Sequence, residues 1–189
     1  MTETLQNLVG SKLVLGVQGT KLTDEIVHHF QETHAGGLIL FRRNFENPRQ
    51  LIGLIKGLEE ALQRKLTVMI DHESGRVVHL PEGVTFFPDN LAAGQSGDET
   101  LVEKQGVIEA RELSRFGFDL VLSPVLDVLT EKHSPNIGIR SYGRDPELVA
   151  RLGAARIRGI QAQGLSDCAK HYPGLGSATL DPHISLPVI

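Results

Sequence analysis

Asp181-Pro182-His183 puts a carboxylate and an imidazole two positions apart. The triplet lies in AKHYPGLGSATLDPHISLP, residues 169–187, a stretch broken by Gly174, Gly176 and three prolines, and His183 follows another histidine, His171, by twelve positions. An imidazole titrates near pH 6.5, so it both gives and takes a proton near neutrality. A carboxylate on its second nitrogen fixes the tautomer and raises the basicity of the ring. Side chains two apart on extended backbone lie on one side, so Asp181 is expected to reach His183, with Pro182 stiffening the chain between them. A packing segment has no use for such a pair. A catalytic loop has, and a surface turn in which Asp181 caps the following element is the competing account.

The elements that must position these residues alternate. KLVLGV (12–17), GGLILF (36–41), LTVMID (66–71), DLVLSPVLDV (119–128) and DCAKHY (167–172) read as strands. They are apolar throughout, as in a parallel sheet covered on both faces. Between them run helices: one capped by Thr23, one opened by Pro48 with Leu51, Leu54, Ile55, Leu58 and Leu62 at three- and four-residue spacing, one from ETLVEK to Gly117, and one capped by Asp145 with Pro146 at its first position and Gly164 as its stop. GVTFFPDNLAAGQSGD reads as a long loop. An open doubly wound sheet and a (β/α)8 barrel both fit this order. GVQGTKL, after the first strand, is not the glycine-rich turn of a dinucleotide site. The polar strand ends favour the barrel: Asp71 and Glu73 after the third strand, Asp127 after the fourth, Lys170 and His171 after the fifth would share one mouth. Five of eight strand–helix units are visible, so residues 1–189 are expected to form one partial barrel domain, truncated after about five units. Completion would come from a C-terminal half or a second chain, and an open piece would bare two sheet edges.

Composition agrees with one globular domain: 40% apolar and 22% charged residues in 189. A net charge of −4 without a basic stripe argues against nucleic acid. No run approaches the roughly 20 apolar residues that span a bilayer, and MTETLQNLVG is not a secretory signal, so no membrane is expected. The single cysteine, Cys168, precludes an intrachain disulfide and suits a reducing compartment; the expected location is the cytoplasm.

GGLILFRRNFENPRQL, IDHESGRV, FGFDLVLSPVLDV, NIGIRSYGRDPELVA and KHYPGLGSATLDPHISLP together resemble the N-terminal barrel of glycoside hydrolase family 3, in its NagZ-type β-N-acetylglucosaminidase subgroup of bacterial cell-wall recycling. The resemblance runs in order from about residue 10 to 187. It implies a retaining β-N-acetylhexosaminidase that removes terminal N-acetylglucosamine from peptidoglycan-derived saccharides without cofactor or metal. In that reading His183 is the general acid/base, Asp181 holds it, and Gly174 and Gly176 let the loop swing. Asp71 takes two sugar hydroxyls, Arg140 lies beside the same ring, and Lys170 and His171 contact hydroxyls. The family's aspartate nucleophile lies beyond Ile189.

Three positions depart from the family pattern. Ser74 stands where Gly-Gly-Arg-Val usually begins, His79 where the subgroup usually places a second substrate arginine, and Leu175 where the loop usually carries histidine. His79 therefore enters the substrate set as a weaker donor. The competing functions are a non-catalytic or vestigial sugar-binding piece and a family 3 glycoside phosphorylase. A metal hydrolase built on Asp71, His72 and His183 lacks H-E-x-x-H spacing.

Overall fold

The computed structural model describes residues 4–131 and 134–187. After a short helix α1 (Leu5–Gly10), the chain alternates β1 (Val14–Gly16), α2 (Asp24–Thr33), β2 (Gly37–Leu40), α3 (Pro48–Leu62) and β3 (Thr67–Ile70). A small hairpin follows, β4 (His72–Ser74) and β5 (Val77–Val78), then α4 (Asn90–Ser96), α5 (Glu99–Phe116), β6 (Leu120–Val121), α6 (Pro146–Gln161) and β7 (Ser166–Asp167).

Local chemistry sets most boundaries. Thr23, Asn47 and Asp98 each accept a hydrogen bond from the backbone N–H three residues on, and Asp145 from that of Glu147, satisfying otherwise orphaned helix donors. Pro146 and Pro48 occupy first-turn positions where no N–H is needed. Gly117 ends α5 at φ 94°, a left-handed conformation that suits glycine. The α6 stop differs from expectation: the helix ends at Gln161 with right-handed Ala162 as its cap, and Gly164 takes its positive φ, 78°, in the turn beyond.

Five strands pair in parallel in the order β1-β2-β3-β6-β7, each beside its sequence neighbour. A doubly wound sheet reverses order at a switch point; this one never does, which is the winding of a barrel wall. Within these residues the wall is open. Val14 on β1 is 42% exposed, whereas every residue of β2 is buried or half-buried, so the bare edge expected of a partial barrel is present at β1. Leu38, Leu40, Val68, Ile70 and Val121 form the core with Leu51, Leu54, Ile55 and Leu58 of α3 and Leu113 of α5. Burying side chains of this size contributes about 1.5–3 kcal/mol each before entropy is counted.

All five expected strands are shorter than read, the fourth and fifth most of all: the fourth pairs only over Leu120–Val121, and the fifth begins one residue early and pairs only over Ser166–Asp167. Regular pairing after β6 stops at Val121, and the chain resumes contact with the fifth strand through a bridge between Val125 and Lys170. The Leu126 N–H donates to the Lys170 carbonyl at 2.6 Å and the Lys170 N–H to the Pro124 carbonyl at 3.0 Å. This irregular ladder carries Asp127 and Lys170 to the same end of the sheet.

The α5–α6 contact is backbone against backbone. A β-carbon on Gly159 would collide with the Glu103 carbonyl, and one on Gly106 with that of Arg156. Across it, buried Arg156 pairs with buried Glu109, Nε to Oε2 at 2.7 Å.

Candidate active site

The acids and bases at the strand ends form one cross-linked cluster. Glu73, 1% exposed in its side chain, receives Arg140 in bidentate fashion, Nε to Oε2 at 2.7 Å and Nη2 to Oε1 at 2.8 Å. The Lys170 ammonium joins Glu73 Oε1 at 2.5 Å and also bonds Asp71. Burial pushes the Glu73 carboxyl up, but the Arg140 bonds and the Lys170 charge outweigh it and hold the group below the usual carboxylate range. Asp71, 23% exposed in its side chain, is the member whose carboxylate still faces solvent. Two negative and two positive groups thus lie together with the more accessible acid at the rim, an arrangement suited to hydroxyl groups that both donate and accept.

His171 stands beside this cluster. Its Nδ1 lies 2.7 Å from Asp127 Oδ2, and the Asp127 carboxylate also accepts the His171 and Leu175 N–H groups. Burial raises the Asp127 pKa, and the His171 hydrogen bond, the Leu175 N–H and the imidazole charge together lower it further. Since that carboxylate only accepts, Nδ1 carries the proton. In the neutral ring Nε2, 3.4 Å from Arg140 Nη2, is then an acceptor.

Asp181 and His183 meet by a route different from the one expected. Residues 182–184 form a turn, not extended backbone. Asp181 Oδ1 accepts the His183 backbone N–H at 2.9 Å and approaches His183 Nδ1 at 2.7 Å. The local fold is that of an Asx turn, so the capping account and the dyad account describe the same contact. The His183 backbone N–H, then its side chain, hold the Asp181 carboxyl below its ordinary value. The His183 side chain is 79% exposed, with Nε2 left for proton exchange.

The hairpin and α4 brace the cluster. Ser74 has φ 86°, in the left-handed region that favours glycine, so its departure from the family's glycine carries a backbone strain of about 1 kcal/mol. Buried Asn90 accepts from the Ser74 hydroxyl at 3.3 Å and donates to the Arg140 carbonyl at 2.8 Å. Helix α4 was expected to be loop; Gly94 lets it seat directly against the Tyr142 carbonyl, a tertiary contact invisible in its Asn, Gly and Ser content.

His79 is half-buried beside the cluster, edge-on to Phe41 at 5.4 Å between ring centres, and its Nδ1 accepts the Arg42 N–H at 3.4 Å. Burial lowers its pKa against the pull of Asp71 and Glu73. His72 turns inward, 4% exposed, and burial, followed by the charges of Arg156 and His79, lowers it to about 4. The two loop glycines differ. Gly174 has φ 126°, whereas Gly176 is buried against the Val128 carbonyl, so packing accounts for Gly176 and only Gly174 retains a hinge-like role.

Of the expected residues, Asp71, Arg140, Lys170 and His171 come together, His79 borders them, and Asp181–His183 forms its own pair. Glu73 and Asp127, noticed only as strand-end acids, bind the cluster together. Asn136, to which the sequence alone assigns no role, links Arg140 to Asp181.

A sequentially wound parallel wall with its ionic groups gathered at the strand ends is the architecture of a (β/α)8-type barrel domain. Residues 4–189 match the model of the glycosyl hydrolase family 3 N terminal domain, and the chain belongs to that family. It is 37% identical to a β-hexosaminidase of Neisseria meningitidis serogroup B over 97% of this chain and 53% of that one. With a β-hexosaminidase of Methylobacillus flagellatus the identity is 36%, covering 93% and 52%. The chain spans about half the length of the curated relatives it matches. It is similar to the structure of a glycoside hydrolase family 3 β-N-acetylglucosaminidase from a Paenibacillus strain, with TM-score 0.94 and 37% identity over 100% of this chain and 36% of that one. It is also similar to NagZ from Neisseria gonorrhoeae in complex with N-trifluoroacetyl-D-glucosamine, with TM-score 0.84 and 37% identity over 93% and 53%.

Proposed function

We propose that residues 1–189 are the N-terminal part of a barrel that acts as a retaining β-N-acetylhexosaminidase, removing terminal N-acetylglucosamine from peptidoglycan-derived fragments. The observation that carries the reading is the convergence of Asp71, Arg140, Lys170 and His171 around Glu73, next to an exposed imidazole held by a carboxylate. The relatives' names, β-hexosaminidase and NagZ, and the aminosugar in one of their structures support it.

In this reading the Asp71 carboxylate accepts from two sugar hydroxyls, and Arg140, Lys170 and His171 contact the same ring, with His79 at its border. His183 protonates the departing oxygen through Nε2 while Nδ1 stays on Asp181, then takes a proton from water when the glycosyl intermediate is hydrolysed. The nucleophilic aspartate, like the rest of the barrel, comes from outside these residues. No cofactor takes part. A cytoplasmic location fits the single, free and exposed Cys168.

The test is hydrolysis of p-nitrophenyl N-acetyl-β-D-glucosaminide by the protein expressed from its full reading frame, with the product anomer followed by NMR. Release of the β-anomer is expected. Sugar binding without turnover would sink the enzymatic reading in favour of a sugar-binding piece, and a sugar 1-phosphate in phosphate buffer would replace hydrolysis by phosphorolysis.

A further inference from the structure

We propose that Asn136 is a positioning residue that sets the proton-carrying loop against the sugar-side cluster; this rests on the acid/base reading of His183. Asn136 is 6% exposed, two residues before the short 3-10 turn Gly138–Arg140. Its side-chain Oδ1 accepts from Arg140 Nη1 at 2.8 Å. A guanidinium only donates, so this bond fixes which end of the amide is oxygen. The other end, Nδ2, must then face the loop. It lies 3.3 Å from Asp181 Oδ1 and 3.3 Å from His183 Nδ1. Both nitrogens carry hydrogen, so both donate to the one carboxylate oxygen they share, Asp181 Oδ1.

The residue is itself clamped. Its backbone carbonyl accepts from Arg140 Nη1 at 3.2 Å and from Arg76, whose Nη2 also reaches the Pro135 carbonyl at 3.4 Å. A continuous path therefore runs from Glu73 through Arg140 and Asn136 to Asp181 and His183, with no step longer than 3.3 Å. The dyad on its own is a local turn on an exposed loop. Asn136 gives that turn a fixed relation to the guanidinium that meets the sugar, and proton transfer depends steeply on such placement.

A misplaced acid has a signature that general damage lacks. A sugar leaving group needs its proton; a p-nitrophenolate leaves without one. Asn136→Ala removes both amide bonds, whereas Asn136→Asp keeps the oxygen for Arg140 and removes the donor to Asp181. In the protein expressed from its full reading frame, both variants are expected to lower kcat/KM on an N-acetylglucosamine disaccharide by about 10- to 100-fold. The kcat/KM for the p-nitrophenyl glycoside, which reports only departure of the leaving group, should change by less than about threefold, while its kcat and KM fall together because hydrolysis of the glycosyl intermediate still needs the base. The near-isosteric Asp variant, checked for native circular dichroism, carries the test if the Ala variant does not fold. Equal losses of kcat/KM on both substrates, or wild-type behaviour of Asn136→Asp, would each overturn the proposal. His183→Ala is run beside them. If it shows the leaving-group signature and the Asn136 variants do not, the positioning role alone falls; if His183→Ala turns over both substrates like wild type, the acid/base reading falls, and this proposal with it.

Discussion

Two Asp–His pairs in this molecule are nearly superimposable in their bonding and opposite in their setting. In each, ring Nδ1 lies 2.7 Å from a carboxylate oxygen, and the same carboxylate accepts the histidine's own backbone N–H. Asp127 reaches His171 across 44 residues, its side chain 0% exposed and the imidazole 28%. Asp181 reaches His183 across two residues, with side-chain exposures of 29% and 79%. The same contact yields an imidazole fixed by a buried carboxylate in one place and an exposed imidazole on a surface loop in the other. What differs is how many elements must move for the imidazole to move.

The largest expected effect is on chemistry. His183→Ala should slow turnover of a disaccharide by about 10²–10⁴, the usual worth of acid/base catalysis, while leaving the denaturation midpoint where it was. Unchanged turnover would erase the functional half of the contrast. Next comes stability: Asp127→Ala strands three donors around a buried carboxylate site and should lower the unfolding free energy by about 3 kcal/mol, measured in urea. A loss as small as that of a surface substitution would mean that the buried pair is not the more constrained of the two.

Acid titration sharpens the same point. Asp127 is held below its ordinary range in the folded chain, so as pH falls the unfolded chain takes up its proton first. Its stabilisation is complete above about pH 4 and is lost as pH drops from there through the folded value. Asp127→Asn should flatten the stability profile in that acid window, read from urea midpoints at successive pH values. Asp181 is shifted in the same direction from an exposed position, and Asp181→Asn should flatten the profile far less. Equal flattening by the two variants would contradict the difference in burial. The smallest effect is structural: Asp181→Ala should leave the midpoint at neutral pH unmoved while altering the His183 ring resonances in NMR.

Much of this was legible because it is written locally. The caps at Thr23 and Asp145, the start of α3 at Pro48, its buried stripe and the acids and bases at strand ends follow from short-range pattern. The pairing of Asp181 with His183 is local too, although a turn and not an extended segment brings it about. What stayed hidden depends on the third dimension. Helix α4 seats where Gly94 meets Tyr142, the hairpin puts Ser74 at a positive φ, and Asp127 finds its imidazole 44 residues further along the chain. Asn136 opens the stretch NIGIRSYGRDPELVA, but its type alone suggests no role until a guanidinium and a carboxylate stand on either side of it.

The exposed rim at Leu13 and Val14 has a practical consequence. An unpaired strand offers its backbone to any other strand, including that of a second molecule. Concentrated solutions of these 189 residues will therefore self-associate through β1, and the remedy is dilution or a lysine placed on that strand, not a search for a better buffer.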